Sequence, residues 1–169
     1  MTHPTTPCAV AIPPTASRRR LLRAGSAALF GVLAWPVQAA RPAAPLVEIW
    51  KSPTCGCCHD WIRHLEDSGL RTRSFDTGNT QARVRLGMPQ RLGSCHTARV
   101  DGYVLEGHVP AREIRRLLAE RPEALGLAVP AMPLGSPGMD GPEYQGRHDP
   151  YDVLLVAADG SSRVYQSYR

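Results

Sequence analysis

The 169-residue sequence contains no apolar run long enough to cross a membrane. Its longest apolar stretch, Ala24 to Trp35, is a dozen residues, whereas a span of about 30 Å at 1.5 Å per residue needs about 20. Aromatic side chains make up only 6% of the chain, and no basic stripe is interleaved with them, which argues against nucleic-acid binding. There is no internal repeat and no sign of a second domain, which excludes solenoids and arrays.

What is present at the N-terminus reads as an address. Ser17-Arg18-Arg19-Arg20-Leu21-Leu22-Arg23 precedes the short apolar run, and Val37-Gln38-Ala39 offers a small-residue cleavage site. A charged start, a short apolar segment and a cleavage site make a removable signal. The paired arginines point to the twin-arginine route, which exports folded proteins. Residues 1–39 are therefore expected to leave, and residues 40–169 to fold as one domain without a membrane span. Four arginines and no acid leave with the signal, so the formal charge falls from +5 to +1. The basic character of the precursor thus says little about partners.

Residues 40–169 keep four cysteines, and three of them fall in Cys55-Gly56-Cys57-Cys58. Four cysteines in an oxidising compartment ordinarily make two structural disulfides. Three within four positions can hardly staple distant parts of a chain, and the neighbours Cys57 and Cys58 could join only through a strained ring. A reactive or metal-binding cluster fits the spacing better.

The surrounding pattern places this cluster at the junction of a strand and a helix. Leu46 to Trp50 alternates like a strand, and Cys58, Trp61, Ile62 and Leu65 recur as the apolar stripe of a helix that Gly69 ends. Arg71 to Asp76 reads as a more polar strand near an edge, and Asn79 as the cap of a short helix to about Leu86. Cys95–Val100 and Tyr103–His108 form two strands across the hairpin dipeptide Asp101-Gly102. Pro110 reads as the first residue of a helix whose buried face is Ile114, Leu117 and Leu118, with Pro122 beyond its end. That order gives an α/β, thioredoxin-like fold, a mixed sheet with flanking helices. A Pro- and Gly-rich loop, Glu123–Pro150, and a hairpin, Asp152–Ala157 with Arg163–Tyr168, extend it.

A cysteine at a helix N-terminus faces unpaired N–H groups and the positive end of the helix dipole, and both favour thiolate. Cys58 lies on the apolar stripe and Cys55 before the helix, the buried and exposed sulfurs that a thiol-disulfide oxidoreductase without metal would use. Cys57 has no place in that chemistry but adds a ligand to a soft-metal site, and Cys95 faces the same helix end. Thiolate-rich sets select Cu(I), zinc or iron–sulfur clusters. The spacing matches no usual cluster-binding run, and zinc alone leaves the excess of soft and imidazole donors unexplained.

Further donors come from His108, at the end of the fourth strand, and from His96 and His59, each directly after a cysteine. Met132 and Met139 lie in the loop, where thioethers either ligate Cu(I) or anchor the loop by packing. Met88 reads as packing. His64, four residues after Asp60, reads as a solvated ion pair, and His148 has no assignable partner.

Several of these segments together resemble one family. Ser52-Pro53-Thr54-Cys55-Gly56-Cys57-Cys58 with Trp61 and His64-Leu65, Ser94-Cys95-His96-Thr97-Ala98, Gly102 to Pro110, and the Met132–Met139 run are similar to the CopG-type periplasmic copper-resistance proteins. The resemblance spans about Val47 to Tyr168. It implies a thioredoxin-like fold, a periplasmic location, and copper held by the cysteine cluster with nearby His and Met ligands. Such a protein would exchange its ion with other periplasmic copper-handling proteins. Ala131 stands where the family pattern has glycine, and Asp140 where glutamate is usual.

Overall fold

The computed structural model describes residues 43–169; the expected signal lies outside them. Seven strands form one mixed sheet in the order β2-β1-β3-β4-β5-β6-β7. They are β1 (Leu46–Lys51), β2 (Arg71–Phe75), β3 (His96–Val100), β4 (Tyr103–Glu106), β5 (Gly126–Ala128), β6 (Tyr151–Val156) and β7 (Ser162–Tyr168). Three helices accompany them: α1 (Gly56–Asp67), α2 (Thr80–Arg85) and α3 (Ala111–Glu120). Among the described residues no helix is long and apolar enough to cross a membrane.

The first half follows the expected order. β1 pairs in parallel with β2, at the edge, and antiparallel with β3, whose register sets Lys51 opposite His96. Asp101 and Gly102 both take positive φ, as a tight hairpin between β3 and β4 requires. The stripe of α1 buries Cys58, Trp61 and Leu65 completely; Trp61 and Leu65 pack with Val47 and Ile49, and Ile114 and Leu117 of α3 join the same core. Burying one such side chain is worth roughly 2–3 kcal/mol, so these few residues hold both helices to one face. Met88 packs with Leu92, Val104, Ala128 and Val156 in a smaller core.

Four local expectations need correction. Asn79 stands at the start of α2 but makes no side-chain cap; its Nδ2 donates to the Ser94 carbonyl at 3.0 Å. Pro110 is the residue before α3, not its first, and its carbonyl accepts from the Glu113 and Ile114 amides. Strand β4 stops at Glu106, because Gly107 turns at φ +70 and places His108 beyond the ladder. Glu123–Pro150 is not structureless: β5 runs parallel to β4 and antiparallel to β6. This three-residue strand makes the terminal hairpin continuous with the first half. Gly126 permits the pairing, since a side chain there would overlap the Val104 carbonyl.

Candidate metal centre

The cysteine cluster occupies the start of α1, with Cys55 at the N-cap position and no acidic side chain in the first turn. Cys55 and Cys58 are joined as a disulfide, whereas Cys57 and Cys95 are free thiols. In this state the bonded pair cannot serve as thiolate ligands. Cys58 is buried and Cys55 partly exposed, the asymmetry expected from the stripe. Cys57 Sγ lies 3.6 Å from Cys55 Sγ and 3.8 Å from Cys95 Sγ.

Two donor groups share one residue. Ligand atoms of Cys55, Cys57, Cys58 and Cys95 lie within 4.8 Å of one another, as do those of Cys95, His96 and His108. Cys95 belongs to both, so an all-sulfur set meets a sulfur–imidazole set at its Sγ. Neither group contains a carboxylate; Asp60, Asp67, Asp140 and Glu143 line a separate cleft of about 380 Å³. The clustered donors are soft and borderline, and the hard oxygens stand apart.

The two imidazoles are held differently. His108 Nδ1 lies 2.7 Å from the Pro137 carbonyl, which can only accept. Nδ1 therefore carries the proton, and bare Nε2 faces Cys95 Sγ at 3.0 Å. Burial keeps His108 below its ordinary pKa, and burial with the neighbouring His108 keeps His96 well below. Both rings are thus neutral, as ligands must be. His96 Nδ1 is 3.4 Å from Cys95 Sγ, and the buried His96 Nε2 has no hydrogen-bond partner among the described residues. Burial, then the neighbouring Cys57, pushes the Cys95 thiol up to about 12. Without an ion Cys95 stays protonated; a bound cation would displace that proton.

The remaining sequence candidates divide. Met139 is buried, and its Sδ accepts from the Tyr144 hydroxyl at 3.4 Å. The residue before it presses onto the site: a Cβ at Gly138 would lie 2.6 Å from the Cys57 carbonyl and 2.8 Å from the Trp61 nitrogen. Met132 is 47% exposed and lines a different hollow, with Pro130, Asp149 and Tyr151. His59 is exposed and in neither donor group. His64 is no solvated ion pair: its Nε2 accepts the Ala111 amide at 3.0 Å, capping α3 from α1.

A brace that the sequence did not reveal fixes Cys95. Glu106, fully buried, accepts from Arg83 Nε and Nη2 at 3.0 and 2.7 Å, from the Ser94 amide at 2.7 Å and from Thr97 Oγ1 at 2.7 Å. Arg83 also donates to the Ser94 carbonyl at 2.6 Å. Both backbone groups of the residue before Cys95 are thereby clamped. Arg83 and Glu106 are 23 residues apart, and no periodicity links them; an acid directly after the apolar run Tyr103–Leu105 was the only signal.

These features define a mixed α/β protein with a thiol- and imidazole-lined centre at a helix N-terminus. The chain belongs to the CopG copper-resistance protein family. It is 39% identical to a solved structure described as copper resistance protein CopG, form 2, covering 75% of this chain and 99% of that one, with a TM-score of 0.68. A form 1 structure of that description is 41% identical over 73% of this chain and 96% of the other, with a TM-score of 0.66. A family model described as a protein of unknown function, DUF411, matches residues 92–139. No curated protein matches.

Proposed function

We propose that this chain is an exported copper-binding protein of metal resistance that holds Cu(I) on thiolates, with Cys95 as the central ligand. The observation that carries this reading is the convergence of four sulfurs and two neutral imidazoles around Cys95. Cys57, Cys95 and Nε2 of His108 would hold an ion while the Cys55–Cys58 disulfide stands; reduction would add two thiolates and room for more than one ion. Met139 adjoins the set through the loop that seats His108, whereas the exposed positions of His59 and Met132 put them in a lesser role. Copper matches this set better than zinc, because four sulfurs and two imidazoles, with a thioether nearby, exceed the four ligands of a closed tetrahedral zinc site. The strand order β2-β1-β3-β4, with cysteines opening α1, supports the thioredoxin-like reading, and the twin-arginine pattern supports a periplasmic location.

Titrating reduced, metal-free protein with Cu(I) against a competing chelator tests the proposal. Cys95→Ser should weaken binding more than any other single cysteine change, since it breaks both donor groups. Unchanged binding in a Cys55→Ser/Cys58→Ser/Cys95→Ser variant would sink it.

The Cys55–Cys58 disulfide favours a second reading, a thiol-disulfide oxidoreductase. That activity would reduce insulin without metal and be indifferent to Cys57→Ser.

A further inference from the structure

The two thiols outside the disulfide are positioned to do more than bind an ion. Cys57 sits in the first turn of α1, and Cys95 immediately precedes β3. Their sulfurs are in van der Waals contact at 3.8 Å, across 38 residues of sequence. Both are partly exposed. The other pairings open to Cys57 are closed. Cys55 and Cys58 are bonded to each other, and a bond between the adjacent Cys57 and Cys58 would be strained. A Cys57–Cys95 bond needs the sulfurs to close to about 2.0 Å, a modest shift for partly exposed side chains.

We infer that Cys57 and Cys95 form a second redox couple, so that the centre stores two disulfides. The oxidant is a disulfide, of a small thiol or of another protein. The Cys57 sulfur attacks one sulfur of that disulfide; a mixed disulfide forms, and the first thiolate leaves and takes up the proton that Cys57 gives up. Cys95 then attacks the Cys57 sulfur, the Cys57–Cys95 bond forms, and the second thiolate leaves and takes up the proton that Cys95 gives up. One external disulfide is reduced to two thiols, and the protein loses two electrons and two protons. With both couples oxidised, no thiolate remains for a soft cation. That consequence rests on the copper reading above; the couple itself does not.

The couple is tested without metal. Chelator-stripped, reduced protein is equilibrated in glutathione buffers of rising oxidised fraction, alkylated, and digested with trypsin. Cys55, Cys57 and Cys58 share the peptide Ser52–Arg63, and Cys95 lies in Leu92–Arg99. Two alkylatable thiols should disappear in a second step as these peptides become cross-linked. The cross-link should persist in Cys55→Ser/Cys58→Ser and vanish in Cys57→Ser. Cys57 and Cys95 still fully alkylated in the most oxidising buffer would overturn the inference, as would loss of the cross-link in the double variant or its survival in Cys57→Ser. Copper affinity plays no part in this readout, so failure here leaves the metal proposal standing, and the reverse.

Discussion

The two halves of the sheet contribute different things to one site. Strands β1–β4 with α1 bring every sulfur and imidazole of the two donor groups. The extension from β5 onward contains no cysteine, yet it supplies the Pro137 carbonyl that sets the His108 tautomer and the Gly138–Met139 turn that covers Cys57. One half carries the ligands, and the other aims them. A soft-cation site of the kind proposed would gain from this division, because orientation can be tuned without removing a donor.

Breaking the brace on the donor half should have the largest effect. Glu106→Ala leaves the Arg83 guanidinium, 9% exposed, without its carboxylate. Losing one partner of a buried pair costs about 3–5 kcal/mol, to be read from chemical denaturation, and Cys95 should become more mobile and more readily alkylated. On the extension, Gly138→Ala places a methyl against two backbone atoms of α1 at a residue with φ +85. A loss of about 2–3 kcal/mol is expected, comparable to strain and overpacking elsewhere, together with a weaker His108–Pro137 hydrogen bond in the imidazole NMR signals. If Glu106→Ala loosened only the extension, or Gly138→Ala only the sulfur cluster, the division of labour would be wrong.

A gain should also be available on the extension. Ala131 holds φ +61 beside its contacts with Gly93 and Ser94, a conformation that glycine adopts without the usual side-chain penalty. Ala131→Gly should stabilise the fold by about 0.5–1 kcal/mol, seen as a small rise in thermal midpoint. The glycine of the family pattern at this position thus has a backbone reason.

The smallest effect concerns pH. Burial holds His64 below its ordinary value of 6.5, against the opposing pull of Asp140 and Asp67 and with Arg115 reinforcing it. The unfolded chain then binds more protons than the folded one, so stability is full above pH 6.5 and falls as pH drops toward the lowered value. His64→Gln can still accept the Ala111 amide but does not titrate. It should flatten part of the acid limb of a stability–pH curve, leaving the share of His96 and His108.

Much of the donor half could be read directly from residue patterns. The spacing of Cys58, Trp61 and Leu65 gave α1 its buried face, and Asp101-Gly102 gave the hairpin, because periodicity and turn chemistry are local. The Cys95–His108 meeting was anticipated in outline, since both lie near the same ends of adjacent strands. What aims them was not legible. The Arg83–Glu106 pair and the His64 cap on α3 join residues far apart in sequence, and the Pro137 contact uses a backbone carbonyl that carries no residue signature. Strand β5 escaped notice because Gly-Leu-Ala is too short to alternate, and its pairing depends on the absence of a side chain at Gly126. The exposed placement of Met132 beside the buried Met139 is likewise a property of loop packing, which their shared motif conceals.

The central claim is that sulfur donors and His108 share one metal site. X-ray absorption at the copper edge of the reduced, Cu(I)-loaded protein tests it most directly. The account predicts a shell dominated by sulfur with an imidazole component that disappears in His108→Ala. A shell of nitrogen and oxygen alone, unchanged by Cys95→Ser, would contradict it.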